Sequence, residues 1–124
     1  MLPGEHRLRA RRDFELVHRR AKRYTSSHLQ LLVLKADPAP TRIGITTSRK
    51  VGNAVHRNRY RRLIRESLRR VLLKLASGYK IVIVVRPQPE GAFVPSYGEI
   101  CEQVNRLLVL AGLLPSATNT RNAD

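Results

Sequence analysis

The 124-residue chain has no tryptophan, two phenylalanines, one cysteine and only nine acidic residues. Each shortage excludes something. A single thiol, Cys101, rules out an intrachain disulfide and lacks the partner that a CxxC metal site needs. A small domain without cross-links must fold on its core alone, which suits a reducing compartment. Cys101 itself reads as a buried structural thiol, the usual place of a free cysteine. With aromatics at 5%, that core must rest on Leu, Val and Ile. The longest unbroken apolar runs, Ile81 to Val85 and Leu107 to Ala111, are far too short to span a bilayer. No apolar stretch follows the first charges of the N-terminus, which predicts no signal peptide. The expectation is a soluble, cytoplasmic protein with no membrane partner. The acids (Glu5, Asp13, Glu15, Asp37, Glu66, Glu90, Glu99, Glu102 and Asp124) form no carboxylate cluster for a two-metal site. The four histidines, His6, His18, His28 and His56, lack ligand spacing. Neither a catalytic side chain nor a protein-held metal is predicted.

What the chain has instead is positive charge. Its 24 Lys and Arg leave a formal net charge of +15 and a pI near 11.5. So basic a domain repels itself and attracts polyanions, which makes nucleic acid the partner class. Residues 1–23 hold eight Lys or Arg against three acids, and residues 50–70 hold eight against one. Residues 71–124 hold five against four, so the C-terminal half reads as support and the N-terminal half as contact surface. There is no internal repeat and no linker between domains. Pro38-Ala39-Pro40 and Pro87-Gln88-Pro89 read as loops inside one RNA-binding domain over residues 1–114. Residues 115–124 are small and polar, and a disordered tail is expected there.

The apolar pattern predicts an α+β domain with the element order α-β-β-α-β-α. A short helix is expected over residues 12–20, with Phe14 and Val17 on one face. Strands follow at Leu29 to Lys35 and at Thr41 to Ser48, the second rich in β-branched residues. Ile81 to Arg86 is a β-branched run whose continuous apolarity predicts an inner strand buried on both faces. A closing helix from Ser96 to Ala111 opens with Ser96 and Glu99 at capping-box spacing and stops at Gly112.

The long helix between these strands carries most of the functional signal. Tyr60, Leu63, Ile64, Leu68, Val71, Leu72 and Leu75 recur at spacings of three and four, so they share the face that packs on the sheet. The opposite face then holds Asn58, Arg61, Arg62, Arg65 and Arg69. Arg57, Arg61 and Arg65 repeat every four residues and form a ladder along one side. Like charges at that spacing destabilise an isolated helix by a few tenths of a kcal/mol per pair. A phosphate backbone would supply the missing negative charge, and the planar guanidinium binds phosphate with two hydrogen bonds. Upstream, Thr46, Thr47 and Ser48 add hydroxyls, Gly52 permits a tight turn, and Lys50 and Asn53 precede a helix start suited to an anion.

Arg42-Ile43-Gly44-Ile45 and the block from Ser48 to Glu66, with Lys50-Val51-Gly52-Asn53 and Arg57-Asn58-Arg59 at its centre, resemble the signature of the bacterial ribonuclease P protein component. Arg7-Leu8 followed by Asp13-Phe14, the strand end Val85-Arg86 and the closing amphipathic helix agree in order and spacing. The resemblance covers roughly residues 6–112. It implies a fold like domain 2 of ribosomal protein S5, a small sandwich with a left-handed β-α-β crossover, although parallel crossovers are generally right-handed. It also implies a protein that joins a large catalytic RNA to remove the 5′ leader of precursor tRNA by hydrolysis. The chemistry would belong to the RNA and to divalent metal ions (Mg2+) held mainly by it, with none bound tightly by the protein alone. By this likeness Lys50, Asn53, Arg57, Asn58, Arg59, Arg61, Arg62 and Arg65 face the catalytic RNA. Phe14, His18, Leu32 and Arg86 lie near a cleft for the single-stranded leader, where an aromatic ring stacks on a base. This chain departs from the family in having His18 and Leu32 where aromatics are common.

Two other classes stand beside this expectation. A structural RNA-binding protein of the ribosomal type would use the same kind of basic helix, but the ordered block from Lys50 to Arg65 together with Asp13-Phe14 favours ribonuclease P. A DNA-binding protein is not expected, because no helix-turn-helix pairing is evident and phosphate contacts alone do not read bases.

Overall fold

A computed structural model describes residues 2–36 and 38–115. The expected tail, apart from Pro115, lies outside the described residues.

Seven regular elements follow one another: α1 (Arg11–Arg20), β1 (Lys22–Thr25), β2 (Leu29–Lys35), β3 (Arg42–Thr47), α2 (Ala54–Val71), β4 (Tyr79–Val85) and α3 (Tyr97–Leu110). Single 3-10 turns at Gly4–His6, Arg49–Val51 and Leu72–Lys74 join them. The sheet order is β1-β2-β4-β3, antiparallel except where β3 runs parallel to β4. The expected order α-β-β-α-β-α is therefore corrected by one strand. β1 was missed because Lys22-Arg23-Tyr24-Thr25 carries two charges and lies at the sheet edge, where an apolar period is not enforced.

Strand alternation divides the core in two. Leu29 and Leu31, Ile43, and Ile81, Ile83 and Val85 face α2 and α3, where they meet Tyr60, Ile64, Leu68, Ile100, Val104, Leu107 and Leu108. Leu32 and Val82 face the other way and meet Leu8 and Val17 beneath α1. β4 thus contributes to both cores and pairs on both edges, as its unbroken apolar run predicts. α1 and the pair α2–α3 cover opposite faces of one sheet.

Local chemistry sets the helix boundaries. Asn53 caps α2, its side-chain oxygen accepting the His56 N–H at 2.9 Å. Gly52 precedes it at φ +146, where a side chain would press on His56. The apolar stripe of α2 runs past its end: Leu72 belongs to a 3-10 turn and Leu75 follows it, both still packed on the core. Ser96 accepts the Glu99 N–H at 3.2 Å at the start of α3, and Gly112 turns the chain at φ +78 after it. Cys101 lies buried in α3, as its sequence context predicts.

Candidate nucleic-acid interface

α2 positions the basic face. Its buried residues are Tyr60, Ile64, Ser67 and Leu68, so the helix rotation is fixed by the large core. That rotation exposes Asn58, Arg59, Arg62, Arg65, Arg69 and Arg70 and leaves Arg57 and Arg61 half-buried at one flank. One acid interrupts the series, and Glu66 meets Arg69 at 4.0 Å across an exposed i,i+3 pair of little energetic weight. Asn58 accepts a hydrogen bond from an Arg61 Nη1 at 3.0 Å, which steadies one guanidinium along the helix surface. Arg57, Arg59, Arg61, Arg62 and Arg65 meet no carboxylate in any ion pair among the described residues. Lys50 is exposed in the turn just before α2 and Asn53 is exposed at its cap, so the structure brings all eight expected RNA-facing residues onto α2 and its approach.

Three polar atoms are buried without a hydrogen-bond partner among the described residues: Thr47 Oγ1, Arg57 Nε and the Tyr60 hydroxyl. Thr47 ends β3, while Arg57 and Tyr60 lie in the first two turns of α2. Burial also raises the Tyr60 phenol above its ordinary pKa, since the charged form is poorly solvated there.

The second group of expected residues lies on the opposite face of the sheet. Phe14 and His18 stand one helical turn apart on α1, both partly exposed. His18 Nδ1 lies 2.9 Å from the Phe14 carbonyl oxygen. The Phe14 ring lies over Gly44 of β3, so closely that a Cβ at that position would collide with it. Asp13 Oδ1, next to Phe14, accepts from Lys80 Nζ of β4 at 3.0 Å in a partly buried pair that ties the start of α1 to the sheet. Beyond α1 the sheet surface is only partly covered at Gln30, Thr46 and Val84, and this is the floor of a cleft.

Leu32 does not line that cleft. It is fully buried in the small core beneath α1, which corrects its expected place as a leader contact. Its side chain supports α1 from below, a burial that stabilises by about 1.5–3 kcal/mol. Arg86 is exposed at the same end of the sheet, where its Nη1 donates to the carbonyl oxygens of Ser26 and Ser27 at 2.7 and 3.5 Å. It therefore pins the β1–β2 turn. Gln103 of α3 holds the same turn, its side-chain oxygen accepting from Ser26 Oγ at 2.6 Å and from the His28 N–H at 3.0 Å.

Sequence reasoning missed three residues here. Arg23 of β1 donates to Gln30 Oε1 at 3.4 Å and to the His18 carbonyl oxygen, placing a guanidinium at the cleft beside the C-terminal end of α1. Gly44 gave a signal in being a glycine inside a strand, which often marks a close approach. Arg7 enters the sequence reading only within the resemblance and with no role, because its place depends on the N-terminal segment crossing to the outer edge of β3. The described residues contain no group of three or more His, Cys, Asp or Glu that could hold a metal ion, and no helix long and apolar enough to cross a membrane.

The family model described as ribonuclease P matches residues 2–111. The ribonuclease P protein component of Microcystis aeruginosa is 40% identical over 118 residues, covering 91% of this chain and 96% of the relative. The solved ribonuclease P protein of Thermotoga maritima, in complex with 1-(4-fluorophenyl)-2-thiourea, superposes with a TM-score of 0.72 at 32% identity, covering 82% of this chain and 96% of that one. A Staphylococcus aureus ribonuclease P protein shares the fold with a TM-score of 0.77 at 21% identity, covering 88% and 90%. Matched along nearly its whole described length by sequence and by fold, this chain belongs to the ribonuclease P protein family.

Proposed function

We propose that the chain is the protein subunit of a ribonuclease P whose catalytic centre lies in RNA, and that it binds both the catalytic RNA and the 5′ leader of precursor tRNA. The observation that carries this reading is the division of the two candidate surfaces between opposite faces of one sheet. On one side α2 presents Arg57, Arg59, Arg61, Arg62 and Arg65, none of them in an ion pair among the described residues, spaced along a rigid helix as a phosphate backbone requires. On the other, Phe14 offers a partly exposed ring over the sheet, with His18 and Arg23 beside it, as single-strand binding requires.

In this reading Lys50, Asn53, Arg57, Asn58, Arg59, Arg61, Arg62 and Arg65 dock the RNA. Phe14 and His18 contact the leader, and Arg86 shapes the cleft by holding the β1–β2 turn. The single aromatic in the cleft fits a lighter stacking contribution than two or three would give. The Mg2+ ions of the holoenzyme are held mainly by RNA, and the protein's share is to bind and orient. The chain works in the cytoplasm, and its β3–α2–β4 unit follows the left-handed crossover of the ribosomal protein S5-like fold.

Substrate binding by the assembled holoenzyme tests the reading. Phe14→Ala is expected to weaken binding of leader-bearing precursor several-fold while leaving binding of mature tRNA unchanged. Equal losses for both substrates would make Phe14 a purely structural residue.

A further inference from the structure

Three rows of paired residues divide the α1 side of the sheet. Gln30, Val84 and Thr46 floor the cleft, while Leu32, Val82 and Gly44 lie beneath α1 and Phe14. The third row, Leu34, Lys80 and Arg42, emerges on the other side of the helix. It stands four residues, or roughly 13 Å, along the strands from the cleft row. Over it opens a cavity of about 240 Å3, between Leu16 of α1 and the loop residues Ala36, Ala39 and Pro40. That loop is fastened across the start of β4. The Ala36 N–H donates to the Gly78 carbonyl and the Gly78 N–H to the Ala39 carbonyl, each at 2.7 Å, and the Tyr79 N–H donates to Thr41 Oγ1 at 3.3 Å. The cavity is therefore preformed.

Two cations stand side by side on its floor. Arg42 and Lys80 are partners in register on parallel strands and face the same way, so they repel unless opposite charge meets them. Asp13 takes one of the three ammonium donors of Lys80 at 3.0 Å. Arg42 is exposed and meets no carboxylate in any ion pair among the described residues. Arg12 and Arg20, both exposed, stand one helical turn before and after Leu16 and extend the positive surface along α1. Neither the α2 face nor the cleft uses any of these charges.

We propose that this cavity binds one phosphate ester, with the phosphate held by Arg42 and Lys80 and its sugar against Leu16, Leu34 and Pro40. The guanidinium fork supplies two parallel hydrogen bonds to phosphate oxygens, and the ammonium adds a point charge from the neighbouring strand. Ligand cavities run from about 300 Å3 upward, so one slightly smaller suits a sugar phosphate and excludes a larger cofactor. The wall is aliphatic. Tyr79, the one aromatic at its edge, packs against the large core, so the site is not built to stack a base. Such an ester comes from an RNA backbone, which rests on the RNA-binding reading above, or from a free nucleotide.

The test is nuclear magnetic resonance of the full isotope-labelled chain, titrated separately with inorganic phosphate, uridine 5′-monophosphate and a single-stranded hexauridylate. All three are expected to move the Arg42 Nε–H, and the two esters to move the Ala36 amide as well. Arg106, in an exposed pair with Glu102, reports unspecific attraction of anions to so basic a chain. The Arg42 signal is expected to saturate at a concentration at least about tenfold below that of Arg106, and Arg42→Gln to weaken the Ala36 response about tenfold. Tighter binding of the hexauridylate than of the mononucleotide supports the site with RNA as its source, and equal binding supports it with a free nucleotide. Arg42 and Arg106 signals that titrate together would overturn the site, as would an Ala36 response unchanged in Arg42→Gln or movement only with an acidic peptide. Assembly with the catalytic RNA is scored on the same protein. A silent cavity in a chain that assembles overturns this inference alone, and failure to assemble overturns the RNA-binding reading.

Discussion

Phe14 of α1 lies over Gly44 of β3, and the missing side chain at position 44 is what lets the ring reach the sheet. A methyl group there would occupy the space of the ring. Gly44→Ala is therefore expected to expel Phe14 from its seat and to destabilise the fold by about 1–3 kcal/mol. Thermal unfolding of Gly44→Ala, Phe14→Ala and the double variant checks this. The two changes should be strongly non-additive, because removing the ring also removes the clash. Additive losses would show that the ring does not depend on the glycine.

Tyr60 buries a hydroxyl that has no partner among the described residues. Tyr60→Phe is expected to leave stability unchanged or to raise it by up to about 1 kcal/mol, since an unpaired buried hydroxyl gains nothing from the fold. Its pKa is raised in the folded state, so its contribution is intact below pH about 10 and is lost as pH rises through the folded value. Denaturant melts on the alkaline side should show a shallower fall for Tyr60→Phe than for the parent. An identical alkaline profile would contradict this.

Arg61 and Arg65 lie on successive turns of α2. Replacing both by Ala is expected to weaken assembly with the catalytic RNA and to make the log–log salt dependence of binding shallower by about 2, on the scale of one unit per phosphate contact. Filter binding across a salt series measures both quantities. An unchanged slope would mean that these guanidinium groups do not meet phosphates.

Arg86 donates to two main-chain oxygens of the β1–β2 turn. Arg86→Ala is expected to lower stability by about 1 kcal/mol and to speed amide exchange at the Ser26–His28 turn. Unaltered exchange there, with impaired leader binding, would instead assign Arg86 to direct substrate contact.

Much of this arrangement is legible in the sequence because burial enforces period. β2, β4 and α3 are read within two residues of their ends, since each is a dense apolar element closed by a cap or a turn. The basic face of α2 follows from the same logic: once Tyr60, Ile64 and Leu68 are buried, the arginines have only the outside left. β1 is not legible, being a charged edge strand held by pairing with β2. Leu32 is assigned to the cleft by the resemblance alone, and the sequence does not tell that α1 covers its place on that face of the sheet. The cavity beside Arg42 draws its walls from residues far apart in the chain, and no local pattern announces such a meeting.

The most direct test of the account is cleavage of precursor tRNA by the purified protein with and without the cognate catalytic RNA at low magnesium. The account predicts no cleavage by the protein alone and a marked gain when protein is added to the RNA. Robust cleavage by RNA-free protein, or no gain on adding it to the RNA, would contradict it.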